Sequence, residues 1–209
     1  MADARTPQDA WREMTLGNER FVAGEPSHPR QDVERRQAIV AKQEPLAALF
    51  GCSDSRLAAE IIFDKGLGDL FVVRNAGQII SESVLGSLEY AVAVLHVPLI
   101  VVLGHDECGA VNAAIDSLEP GAEPLPPHIQ TLIEKIVPAV NRVKNADDSH
   151  SRPDSSEVGR EHLRDTVAEL LEASELISDA IASGTLAIVG ANYRLLQGTA
   201  VPDVVVGLV

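Results

Sequence analysis

The sequence predicts an α/β domain built on a mainly parallel sheet, and three observations carry the prediction. Four continuously apolar runs, at 46–50, 70–73, 99–103 and 186–189, are what strands covered by helices on both faces require. Helical stretches lie between the runs. Two runs end in short polar segments, Gly51-Cys52-Ser53-Asp54-Ser55-Arg56 and Gly104-His105-Asp106-Glu107-Cys108-Gly109. An open α/β sheet places its ligand chemistry at such strand-to-loop junctions.

In chain order, Trp11, Met14, Leu16 and Phe21 among polar residues predict a helix over 7–23, stopped by Gly24-Glu25-Pro26. A second helix, over 32–42, takes Val33, Ile39 and Val40 as its apolar positions. Further helices are predicted over 57–63, 83–95, 109–118, 128–144 and 157–183. Pro138 should kink or break the fourth of these, and the length of the last predicts two helices. Proline-rich 119–127 and polar 145–156 read as exposed loops, the second mobile. Neither reads as a linker, because helices continue on both sides. The expectation is one domain over 1–209, with an N-terminal helical arm at 1–44 and an α/β core at 45–209. There is no internal repeat and no glycine-rich phosphate loop.

Composition narrows the function classes. The 209 residues, 45% of them hydrophobic, suffice for one well-buried core. A net charge of −14 repels phosphate backbones and anionic lipid, so neither nucleic acid nor a membrane surface is an expected partner. The longest apolar stretch, 91–103, is too short to span a bilayer and is interrupted by His96 and Pro98. The first residues show no basic start followed by an apolar run, which predicts cytoplasmic residence. Two cysteines cannot form a disulfide scaffold, and in a reducing compartment they point to metal binding or catalysis.

Zinc binds thiolate and imidazole tetrahedrally, and a catalytic site commonly uses three protein ligands with the fourth position open. Cys52, His105 and Cys108 supply three. The His-x-x-Cys spacing lets one strand-to-helix turn bring two ligands to one ion, while Cys52 arrives from another strand end. Gly51 and Gly104, beside the outer ligands, permit close backbone approach. Asp54 and Arg56 follow Cys52 on the same loop: a carboxylate can accept a hydrogen bond from a metal-bound water, and a guanidinium can hold that carboxylate through paired donors. His28, His96, His128, His150 and His162 read as surface or packing residues. Asp106 and Glu107 are either outer partners of the ligands or solvated loop charges.

Cys52-Ser53-Asp54-Ser55-Arg56 followed by Gly104-His105-x-x-Cys108-Gly109 closely resembles the β-class carbonic anhydrases. The resemblance extends over nearly the whole chain, including Phe71-Val72-Val73-Arg74-Asn75-Ala76-Gly77 and Glu89-Tyr90-Ala91-Val92. It implies zinc, one per chain, on Cys52, His105 and Cys108, an Asp54–Arg56 catalytic dyad, and a substrate pocket lined by Gln43, Phe71 and Tyr90 with the Gly109 backbone beside it. It also implies a four-stranded parallel sheet with an edge strand at 204–206, N-terminal helices packing on a partner subunit, and a homodimer or homotetramer with pockets at the dimer interface. Leu49 stands where a bicarbonate-inhibited subgroup carries tryptophan, and Ala76 where a valine often lines the pocket.

The activity implied is reversible hydration of carbon dioxide to bicarbonate and a proton by zinc-bound hydroxide, oriented by Asp54, with Arg56 keeping Asp54 off the metal. Two thiolates cancel the formal charge of the ion, so water should be acidified less than to the pKa of ~7 reached with three histidines, and activity should favour alkaline pH. At lower pH Asp54 should compete for the fourth position as a conditional ligand, closing the site. One alternative on the same fold is hydrolysis of carbonyl sulfide or carbon disulfide. Another is a non-catalytic zinc or thiol-redox protein, which the lack of a third cysteine and of Cys-x-x-Cys disfavours.

Overall fold

A computed structural model of the protein describes residues 6–146 and 152–209. Helix α1, Pro7–Ala23, has the bounds its sequence predicts. The Thr6 hydroxyl accepts the Asp9 amide, Pro7 fills a first-turn position that needs no donor, and Gly24 ends the helix in the left-handed region at φ 73. Helix α2, Val33–Ala38, is shorter than the expected 32–42. It buries none of its residues, so no packing extends it beyond the Asp32 cap, and Val40 is left outside it and exposed.

Strands β1 (Ala47–Cys52), β2 (Leu70–Asn75), β3 (Leu99–His105), β4 (Ala187–Arg194) and β5 (Thr199–Val206) form one sheet in the order β2-β1-β3-β4-β5. The first four are parallel. At the edge β5 pairs antiparallel with β4, so the expected strand at 204–206 is the end of a longer one. Its Pro202 is tolerated because an edge strand need not donate on both sides.

Helices α3 (Ala59–Ile62), α4 (Glu82–Ala93), α5 (Gly109–Asp116), α6 (Pro127–Glu134), α7 (Val137–Ala146), α8 (Ser155–Ala173) and α9 (Glu175–Ala182) cover the sheet. Alternate strand residues sort into two cores. Leu49, Val101, Leu103 and Val189 pack with Met14, Phe63, Val111 and Val140 on one face. Phe50, Ile100, Val102 and Ile188 pack with Leu88, Leu163, Leu170 and Ile177 on the other. This double burial is why the strands read as unbroken apolar runs.

The stretch over 128–144 is divided, but at residues 135–136 rather than at Pro138. Pro138 lies in the first turn of α7, where its missing amide has no intrahelical partner to lose. The stretch over 157–183 divides at Ser174, whose hydroxyl accepts the Ile177 amide and caps α9. Of the loop expected at 145–156, residues 147–151 lie outside the described residues; α7 runs to Ala146 and α8 opens at Ser155.

Helix α1 lies against its own chain. Buried Asn18 donates to the carbonyls of Ile62 and Gly198 at 3.1 and 2.8 Å and accepts from the Ala200 amide at 2.9 Å, joining α1 to α3 and β5. On that side Ala10 and Met14 are buried in the core of their own chain, whereas Leu16 and Val22 remain exposed. With β1 at the point where strand order reverses, the carboxyl ends of β1 and β3 adjoin, where such sheets form their ligand crevice.

Candidate metal centre

Cys52 ends β1, His105 ends β3 and Cys108 occupies the N-cap position of α5. All three are buried, and their candidate ligand atoms lie within 4.8 Å of one another. A Cβ at Gly104 would stand 3.0 Å from Asn192 Oδ1, so glycine spares a tight contact where the β3 end approaches β4. Glu107, between the two ligands of the second segment, holds φ 52, which folds His105 and Cys108 toward one point.

The protons of the cluster are arranged for a cation. His105 Nδ1 lies 2.7 Å from the Asp106 carbonyl, which can only accept, so Nδ1 carries the proton and Nε2 presents a lone pair. That Nε2 is buried and, among the described residues, has no hydrogen-bond partner. Cys52 Sγ accepts the Gly77 amide at 3.4 Å. Hydrogen bonding from Cys108 draws the Cys52 thiol below its ordinary pKa against the effect of burial. The same contact, reinforced by burial, holds Cys108 protonated far above the usual thiol range, although the Val111 and Ala110 amides at the start of α5 act the other way. The buried pair thus favours one thiolate beside one thiol. Two sulfurs and a bare imidazole nitrogen form a donor set that suits zinc.

Asp54 lies beside this cluster rather than in it. Arg56 donates to both its carboxylate oxygens, Nε to Oδ1 at 2.9 Å and Nη2 to Oδ2 at 2.7 Å, and the Arg56 amide adds a bond to Oδ1 at 2.9 Å. These bonds hold the carboxyl well below the usual carboxylate range. Asp54 Oδ2 is 4.0 Å from His105 Nε2. Arg56 also donates to the Glu107 carbonyl at 3.1 Å, tying the two motif loops together. The segment after Cys52 is a turn, not a continuing strand, and this turn and its bonds place Asp54 and Arg56.

Gly109 opens α5 directly after Cys108. Gln43, Phe71 and Tyr90 are not brought to the cluster within one chain. Phe71 pairs with Ala48, four positions before the Cys52–Asn75 pair, which is about 13 Å along the strand. Tyr90 lies beside Phe71 with ring centroids 6.2 Å apart, and Gln43 borders a cleft at the opposite end of the sheet with Leu46 and Pro98.

Two participants escaped the sequence reading. Arg74 braces the first motif, donating to the Cys52 carbonyl at 2.9 Å and the Asp54 carbonyl at 2.7 Å. Only the parallel register, Gly51 opposite Arg74, reveals this. His162 is buried, not on the charged surface of α8, and contacts the turn that bonds Cys52. Asp106 accepts the Leu195 amide at 2.9 Å, a structural bond, whereas Glu107 offers its backbone to Arg56. His28 and His96 adopt positive φ of 48 and 55 in loops, and His150 lies outside the described residues.

Comparison with known proteins agrees with this geometry. The family described as carbonic anhydrase matches residues 47–200. Carbonic anhydrase 2 of Mycobacterium tuberculosis is 53% identical over 195 residues, spanning 93% of this chain and 92% of that protein. The carbonic anhydrase of Mycolicibacterium smegmatis is 50% identical over 192 residues, spanning 92% and 91%. A tetrameric β-carbonic anhydrase of the ascomycete Sordaria macrospora shares the fold with a TM-score of 0.68 at 25% identity, covering 90% of this chain and 93% of its own.

Proposed function

Because the chain belongs to the β-carbonic anhydrase family, we propose that it interconverts carbon dioxide and bicarbonate, with one zinc per chain held by Cys52, His105 and Cys108. The observation that carries the proposal is the buried, unpartnered His105 Nε2 facing two sulfurs, with an ionised carboxylate 4.0 Å away. Zinc held there would supply the Lewis acidity that makes hydroxide available near neutral pH, less strongly than with three histidines because two thiolates cancel its charge.

The remaining chemistry belongs to side chains. Asp54, kept ionised by Arg56, accepts the proton of the attacking oxygen in a hydrogen bond and leaves a lone pair directed at the carbon of carbon dioxide. Arg56 holds Asp54 turned toward itself, and Arg74 holds the backbone of Cys52 and Asp54. The Gly109 backbone borders the substrate. Stopped-flow hydration of carbon dioxide by zinc-loaded protein should show a rate rising toward alkaline pH, with about one zinc per chain on the same sample. Hydrolysis of carbonyl sulfide outpacing carbon dioxide hydration would transfer the assignment to that alternative.

Gln43, Phe71 and Tyr90 can line this pocket only if a second copy presents them, since one chain keeps them away from its own cluster. We therefore read the protein as at least a dimer. The tetrameric relative supports that reading, and so do Leu16 and Val22, which α1 leaves exposed beside the contacts to its own chain. Sedimentation at micromolar concentration should find no active monomer. A fully active monomer would remove these three residues from the pocket. Among the described residues no helix is long and apolar enough to cross a membrane. Two free cysteines at the centre of the site support a reducing, cytoplasmic setting.

A further inference from the structure

The turn that carries an amide to the Cys52 sulfur is held from across the core. Gly77 donates that N–H at 3.4 Å. It sits at φ 79, and a Cβ there would lie 2.9 Å from the Ala110 Cβ on α5, so glycine is required on both counts. On one side, the Asn75 side chain clamps the turn by bonding both the amide and the carbonyl of Ile79 at 2.7 Å each. On the other, His162 Nε2 lies 2.7 Å from the Gly77 carbonyl. Thr166, one helical turn further along α8, places its hydroxyl 2.9 Å from the His162 carbonyl and 3.5 Å from that of Gln78.

The tautomer of His162 follows from its partner. A carbonyl only accepts, so Nε2 bears the proton, and burial favours the neutral ring. Nδ1 is then a bare, buried lone pair, and among the described residues it has no hydrogen-bond partner. Among Leu163, Val167 and Leu170, which fill the same face of α8, an apolar side chain would meet the needs of packing without that desolvation. Among the described residues, the hydrogen bond that the imidazole makes and leucine could not is the one to Gly77.

We propose that His162 is a positioning residue of the metal centre, gripping the Gly77 carbonyl so that the Gly77 amide stays aimed at the Cys52 sulfur. A hydrogen bond to a thiolate stabilises the ionised sulfur that a metal requires, which favours binding, and it also draws charge from that sulfur, so that less is donated to the metal. In a site whose two thiolates already cancel the ionic charge, that withdrawal favours the acidity the reaction needs. The inference rests on the zinc reading given above.

The test uses zinc-loaded and cobalt(II)-substituted protein in wild type, His162→Leu and His162→Gln. His162→Leu should bind zinc about tenfold or more weakly in chelator competition, and should shift the sulfur-to-cobalt charge-transfer band. His162→Gln, which restores an N–H donor, should recover most of the affinity and the original band position. If His162→Leu does not fold, His162→Asn, with an amide too short to span the same distance, takes its place with the same expected loss. A leucine variant that matches wild type in affinity and band position while only melting earlier would overturn the proposal. So would a glutamine variant as impaired as leucine. A wild type that takes up neither metal would instead sink the metal reading itself.

Discussion

Cys108→Ser should lose most of its zinc and nearly all of its activity while keeping the fold. Serine is close to isosteric with cysteine, and the position is buried at the start of α5, so packing changes little. Its hydroxyl, however, is a hard and weakly acidic donor that cannot replace a thiolate on zinc. Loss of an outer partner of a metal ligand typically weakens binding about 10- to 100-fold, and loss of a ligand should exceed that. Metal content after dialysis, read beside circular dichroism, separates loss of zinc from loss of structure. Full zinc retention with full activity would remove Cys108 from the site. The wild type should also release zinc on acidification: the strongly raised pKa of Cys108 means that zinc displaces a proton on binding, so falling pH favours the proton.

The legibility of this site follows from the range of its interactions. The His-x-x-Cys turn and the Asp54–Arg56 pair are local, so spacing alone exposes them. Helix α1 carries its own boundaries in Thr6, Pro7 and Gly24. Strand ends are less legible. Gly51-Cys52, Arg74-Asn75, Gly104-His105 and Tyr193-Arg194 lie inside strands, yet their polar residues or glycines end the apolar runs by which strands are recognised. Function interrupts the pattern there. Arg74 acts across a parallel register that no local signal encodes. His162 differs, because Val158, His162, Leu163, Thr166 and Val167 recur at helical spacing on a buried face. That periodicity marks His162 as a packing residue, one of the two readings its sequence leaves open, despite the charged residues around it.

Arg56→Ala should suppress turnover about 100-fold or more without comparable loss of zinc, because it frees Asp54 rather than removing a ligand. In the wild type the guanidinium holds both carboxylate oxygens, and Oδ2 still stands only 4.0 Å from His105 Nε2. Released, the carboxylate can compete with hydroxide for the metal's fourth position. The direction with pH follows from the two competitors. Arg56 depresses the Asp54 pKa, so what their pairing contributes is present above the unfolded value of ~3.9 and fades only as pH falls through the lower folded one. Between pH 6 and 8 Asp54 therefore stays ionised, while hydroxide becomes about tenfold scarcer with each unit of acidification. Carboxylate should win at the acid end and hydroxide at the alkaline end, and Arg56→Ala should move the crossover to higher pH. Arg56→Lys, which keeps the charge but not the paired fork, should fall between the two. Zinc X-ray absorption spectra or crystal structures at acidic and alkaline pH can test the exchange. If Cys52, His105, Cys108 and a non-protein oxygen are found at both extremes while the rate still falls on acidification, protonation of hydroxide alone accounts for the profile and Asp54 does not enter the coordination sphere.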